Sequence, residues 1–112
     1  QYLHNNSAKV ALEAVAKPER KAADTMGILK AGLEHEVYVT SLIHNLYDAA
    51  QQSKDFRTLQ FLDWFVKEQG EEEKNAEDLI QKMELFGSEA KGLYMLNSEL
   101  AARVYTAPSL VL

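Results

Sequence analysis

Phe61-Leu62-Asp63-Trp64-Phe65-Val66-Lys67-Glu68-Gln69-Gly70-Glu71-Glu72-Glu73 is the stretch whose reading decides the fold. Around it Leu62, Phe65, Ala76, Leu79, Met83 and Phe86 recur at helical spacings of three and four residues. Such a stripe is the seam of a helix packed in a bundle. Gln69 and Glu72 fall where the stripe calls for apolar residues, and three positions apart they project from one face.

Working outward, Ser53-Lys54-Asp55 interrupts the helical pattern, and Ser53 or Asp55 can cap the helix that follows. Before the break, Met26, Leu29, Leu33, Glu36, Thr40, Ile43, Tyr47 and Ala50 obey the same spacing, with Glu36 and the neighbouring Thr40 out of place. Folding the chain at Lys54 makes an antiparallel hairpin. Glu36 lies eighteen residues before that point and Glu72 eighteen after it, so they reach the same height, with Gln69 one turn nearer the turn.

The segments read as a connector over 1–22, a helix over 23–53, a second over 55–87 and a short helix over 92–104, all in one all-α domain. Pro18 or Asp24 can open the first helix, and Gly87 closes the second. The residues 109–112 read as a loose apolar tail. The chain opens on Gln1, and residues 1–6 read as the tail of an element that began earlier.

Composition narrows the function. With 112 residues there is room for one domain. Seventeen acidic against twelve basic residues give a net charge of -5, which argues against nucleic-acid binding and favours cations. The absence of cysteine excludes disulfides and thiolate metal sites. No run of about eighteen apolar residues and no secretory signal is present, so a soluble, cytoplasmic protein is expected.

Two carboxylates on a buried seam cost several kcal/mol unless a proton, a cationic side chain or a metal offsets them. Neither seam carries Lys or Arg. Hard oxygen donors from facing helices suit iron or manganese, so Glu36, Gln69 and Glu72 are the candidate ligands. Glu68 and Glu71 flank the seam and either extend a metal site or are simply solvated; Glu73 reads as solvated. His35 and His44 lie off the seam and are not assigned as ligands. Trp64 and Phe61 read as core or interface aromatics, with electron transfer near a metal as the alternative for Trp64.

These residues resemble a family. Leu33-Glu34-His35-Glu36 with Val39-Thr40 and Ile43 is similar to the third helix of bacterial non-haem ferritins. Asp55-Phe56, Phe61-Leu62, Trp64-Phe65-Val66, Glu68-Gln69 and Glu71-Glu72-Glu73 resemble the fourth. Gly92-Leu93-Tyr94 and Glu99-Leu100 resemble the short fifth helix, and the residues up to Pro18 resemble the crossover that precedes the third. The resemblance implies a ferroxidase and iron-storage subunit in which two ferrous ions are oxidised by dioxygen or peroxide at mid-bundle and stored as mineral in a 24-subunit cage. It implies Glu36 as a ligand from the third helix, Gln69 and Glu72 at the second iron, Glu68 and Glu71 at an accessory third iron, and Trp64 as the central aromatic.

The departure is that the first two helices, with their Glu and E-x-x-H ligands, have no counterpart here. The expected fold is therefore half of a ferritin-like four-helix bundle, completed by a partner chain. Two hairpins can bury each other's seams, so two copies paired about a two-fold axis could surround one di-metal site. A separate chain supplying the other half is the alternative. A metal-free helical association module, or a non-catalytic ferritin fragment, is the competing reading; there Glu36 and Glu72 would be protonated or hydrogen-bonded to Thr40, Tyr38 or Tyr47. A rubrerythrin-like peroxidase fits less well, because its rubredoxin-type site needs cysteines and its helix favours E-x-x-H over Glu68-Gln69.

Overall fold

The computed structural model describes residues 1–18 and 22–112. Four helices follow in order: α1 Tyr2–Asn5, α2 Thr25–Gln52, α3 Phe56–Phe86 and α4 Ala90–Ala101. The described residues contain no strand. The chain is all-α, as the periodicity requires.

Local chemistry sets the ends of α2 and α3. The Asp24 side chain accepts a hydrogen bond from the Gly27 N–H at 2.7 Å, so α2 opens there. The alternative start at Pro18 leads into residues 19–21, outside the described residues. Asp55, not Ser53, caps α3: its carboxylate accepts from the Thr58 N–H at 3.1 Å and from the Thr58 hydroxyl. Ser53 instead closes α2, donating to the carbonyls of Ala49 and Ala50. In the turn, the Asp55 N–H bonds to the Ala50 carbonyl and the Lys54 N–H to the Gln51 carbonyl. That pair of bonds is a Schellman motif, with Lys54 at φ 56° in the left-handed place usually held by glycine.

The α3–α4 junction needs its glycines for a different reason. Gly87, at φ -73°, is not a left-handed stop. A Cβ there would lie 2.5 Å from the Met83 carbonyl oxygen, and one at Gly92 would lie 2.0 Å from that of Phe86. Both contacts are shorter than real packing allows, so α4 can fold against the end of α3 only through glycine. The short helix begins at Ala90 rather than 92 and ends at Ala101 rather than 104. Lys82 pairs with Glu99 across the α3–α4 contact.

The seam residues of α2 are half-buried or buried throughout, from Met26 to Ala50. On α3 Leu62, Phe65, Gln69, Ala76, Leu79 and Met83 are withdrawn from solvent, whereas Glu72 and Phe86 are exposed. The C-terminal segment is docked: the Trp64 Nε1–H donates to the Ser109 hydroxyl at 2.9 Å, and Leu110 is half-buried. At the other end of the chain the Tyr2 ring stacks on Phe61 at 3.9 Å and its hydroxyl pairs with that of Thr58 at 2.9 Å. Phe61, Phe65 and Trp64 continue this row edge-to-face.

The molecule is long and thin, 54 × 29 × 22 Å, with a radius of gyration of 18.0 Å. A compact domain of this length would have about 13 Å. Ala50, 6% exposed, and Leu62, 5% exposed, are the buried apolar side chains among the described residues. One face of the hairpin is therefore an open groove.

Candidate metal centre

Three turns of α2 and α3 meet at mid-hairpin, and their polar residues form a connected set. Gln69, 9% exposed, points its Nε2 group at α2. It donates to the Glu36 carbonyl oxygen at 3.0 Å, to the Glu36 carboxylate at 3.3 Å and to the Thr40 hydroxyl at 3.2 Å. The Thr40 hydroxyl donates in turn to the Glu73 carboxylate. Among the described residues no buried side-chain nitrogen or oxygen lacks a hydrogen-bond partner. Desolvation of Gln69 and Thr40 is thus compensated within the hairpin.

Glu73 is the correction to the sequence reading, which left it in solvent. It lies four residues after Gln69, one turn along the same side of α3, and is half-buried against α2. That spacing was the available signal. Glu72 is the exposed member of the pair, because it turns toward the open face. On that face Glu36 and Glu72 line one shallow cavity of about 280 Å³ together with Leu29, Leu79 and Arg103. Arg103, beyond α4, lines the same cavity and is a cation that neither seam supplies; no periodicity on α2 or α3 could have announced it.

The structure thus brings Glu36, Gln69 and Glu72 to one level, Gln69 by direct hydrogen bonds and Glu72 across the cavity. Glu68 is half-buried one turn before Glu72, and Glu71 is exposed and paired with Lys67 at 3.7 Å. His35 and His44 are exposed. Tyr47 does not reach the carboxylates of the site. Its hydroxyl donates to Asp63 at 3.0 Å, and that bond to a carboxylate pushes the phenol above its ordinary value of 10.0. Among the described residues no three His, Cys, Asp or Glu side chains converge closely enough to hold a metal ion. The oxygen donors suit a hard cation, but two carboxylates from one hairpin leave much of an iron coordination sphere unfilled.

A model of the ferritin-like domain matches residues 1–86. The chain belongs to the ferritin family. It is 34% identical over 104 residues to the bacterial non-heme ferritin of Staphylococcus aureus, a match covering 93% of this chain and 63% of that protein. The counterpart from Campylobacter jejuni is 33% identical over 94 residues, 84% of this chain and 56% of its own length. An engineered closed form of the Archaeoglobus fulgidus ferritin superposes with a TM-score of 0.89 at 39% identity, covering 94% of this chain and 64% of that one. The open-pore ferritin from the same archaeon gives 0.88 at 38% identity, with coverage of 92% and 64%. This ferritin chain therefore spans less than two thirds of the relatives it matches, and it keeps their fold over nearly all of its own length.

Proposed function

We propose that this chain binds ferrous iron through Glu36 and Glu72 and serves iron oxidation and storage. The observation that carries the reading is the pair of carboxylates placed on facing helices of a ferritin fold, lining one cavity. Gln69 holds the Glu36 side chain from behind and contributes an amide to the same level. Glu68, one turn before Glu72, and Glu71 beyond it are candidates for an accessory iron. Anionic oxygen donors favour the higher charge of ferric over ferrous iron, so they assist loss of one electron from each ion. Dioxygen or peroxide is the acceptor. Retention of the ferric product implies association of many copies, up to the cage of the family.

The test is ferrous iron added to the chain under air, followed by the rise of ferric absorbance. The wild type should oxidise iron faster than buffer, and Glu36→Ala and Glu72→Ala should each lower the rate at least about tenfold. Oxidation no faster than buffer, with the helices intact, would refute the proposal.

A second reading has its own observation. The Gln69–Thr40–Glu73 network is complete without a metal, and Arg103 lines the cavity that Glu36 and Glu72 share. A metal-free association module would need no more than this. It predicts that Glu72→Ala changes thermal stability by the same amount with and without metal.

A further inference from the structure

We propose that Thr40 and Glu73 are positioning residues for the metal: they fix the Gln69 amide so that the Glu36 carboxylate can turn to a cation without leaving a buried N–H unpaired. The inference rests on the iron reading above and concerns two side chains that are not ligands in it. All four residues belong to the contact between α2 and α3, Glu36 and Thr40 on one helix, Gln69 and Glu73 on the other.

The bonding of Thr40 departs from what its place in a helix favours. A threonine inside a helix ordinarily turns its hydroxyl back to the carbonyl four residues earlier, which for Thr40 is that of Glu36. Here the hydroxyl crosses to α3 and donates to the Glu73 carboxylate. The side-chain hydrogen bond to the Glu36 carbonyl comes instead from Gln69 Nε2, at 3.0 Å. With its proton given to Glu73, the Thr40 oxygen offers only lone pairs, and it accepts from the same Nε2 at 3.2 Å. A carbonyl oxygen and a hydroxyl whose proton is committed both demand a donor. Glu73 thus acts through Thr40 to hold the nitrogen end of the Gln69 amide against α2.

Counting donors shows what this achieves. Nε2 carries two hydrogens and meets a third acceptor, the Glu36 carboxylate, at 3.3 Å, the longest of the three distances. The Glu36 carbonyl and Thr40 satisfy both hydrogens, so the carboxylate bond is the one that can be given up. Gln69 is buried and Thr40 and Glu73 are half-buried, so water competes poorly for this amide. Without Glu73 the Thr40 hydroxyl is free to return to the Glu36 carbonyl. The amide then loses its fixed acceptors and must keep the carboxylate, in competition with the cation.

Manganese(II) titrations of the full chain, followed by the electron paramagnetic resonance of the free ion, test this role. The Gln69 side-chain amide protons are read separately by NMR, without metal. Thr40→Val and Glu73→Leu should each weaken manganese binding about tenfold and speed exchange of the Gln69 amide protons with solvent. Thr40→Ser keeps the hydroxyl and Glu73→Gln keeps an acceptor, so both should stay near wild type in both measurements. Circular dichroism identifies the folded variants, and Thr40→Val and Glu73→Leu remove the same bond from opposite ends, so either one suffices. Equal manganese affinity in all folded variants, or Gln69 exchange unchanged by Thr40→Val and Glu73→Leu, overturns the proposal. Weakening by Glu73→Gln as large as by Glu73→Leu also overturns it, because charge alone would then be the cause. A wild type that binds no manganese refutes the iron reading and the metal role with it, whereas the Gln69 exchange rates judge the amide lock by itself.

Discussion

Thr40 shows what one side chain decides at mid-hairpin. Its hydroxyl accepts from Gln69 on one side and donates to Glu73 on the other. Thr40→Val keeps the shape and removes both bonds, so it should destabilise the chain by about 1–2 kcal/mol. A thermal or urea melt read by circular dichroism measures this. Asp55 acts differently, through charge at a helix start. Side-chain and backbone hydrogen bonds from Thr58 hold its carboxyl below the ordinary 3.8. Because the folded value is the lower one, its contribution is complete above the ordinary carboxylate range and is lost as pH falls through the lowered value. Melting temperatures taken on descending pH should fall more steeply for the wild type than for Asp55→Asn. At this scale the sequence was only partly readable. Glu36 and Gln69 stood out because an apolar stripe passed through them. Glu73 stood among four acidic residues, and only the approach of Thr40 separates it from Glu71.

Elements tell a second story, in which three backbone positions carry opposite signs. Gly70 sits mid-α3 with open space around its would-be Cβ. Gly70→Ala should therefore stabilise by about 0.5–1 kcal/mol. Lys54→Gly should also stabilise, because the left-handed turn residue of the Schellman motif carries a Cβ it does not need. Gly92→Ala should destabilise, since its Cβ would meet the Phe86 carbonyl oxygen and force α4 off α3. Parallel melts of the three variants check the signs. The two long helices were legible in advance because caps and periodicity are local. The limits of α4 were less so, because its start depends on how closely Gly92 approaches the end of α3.

The whole molecule is a hairpin with most of its packing along one line. Its stability should be uneven: the amides of α2 and α3 around Ala50, Leu62 and Gln69 should exchange slowest, and those of residues 8–18, which have no regular structure and are exposed, fastest. Hydrogen exchange by mass spectrometry would show this directly, and uniform protection would contradict it. The same shape explains why a seam that is good core by pattern is only half-buried here. One hairpin covers one side of each seam.

By itself the amino-acid sequence determined two long amphipathic helices, their turn at Lys54 and the polar break at Glu36, Gln69 and Glu72. All of these follow from the angular repeat of a helix and from the chemistry of its ends. Which neighbour each polar residue meets was decided only in three dimensions. The packing rotation of α3 against α2 turns Glu73 inward and Glu72 outward, and the fold of α4 brings Arg103 to the cavity that Glu36 and Glu72 line. Those choices depend on contacts between residues distant in the chain: the four-residue step from Gln69 gave the side on which Glu73 lies but not its partner, and no local spacing announced Arg103.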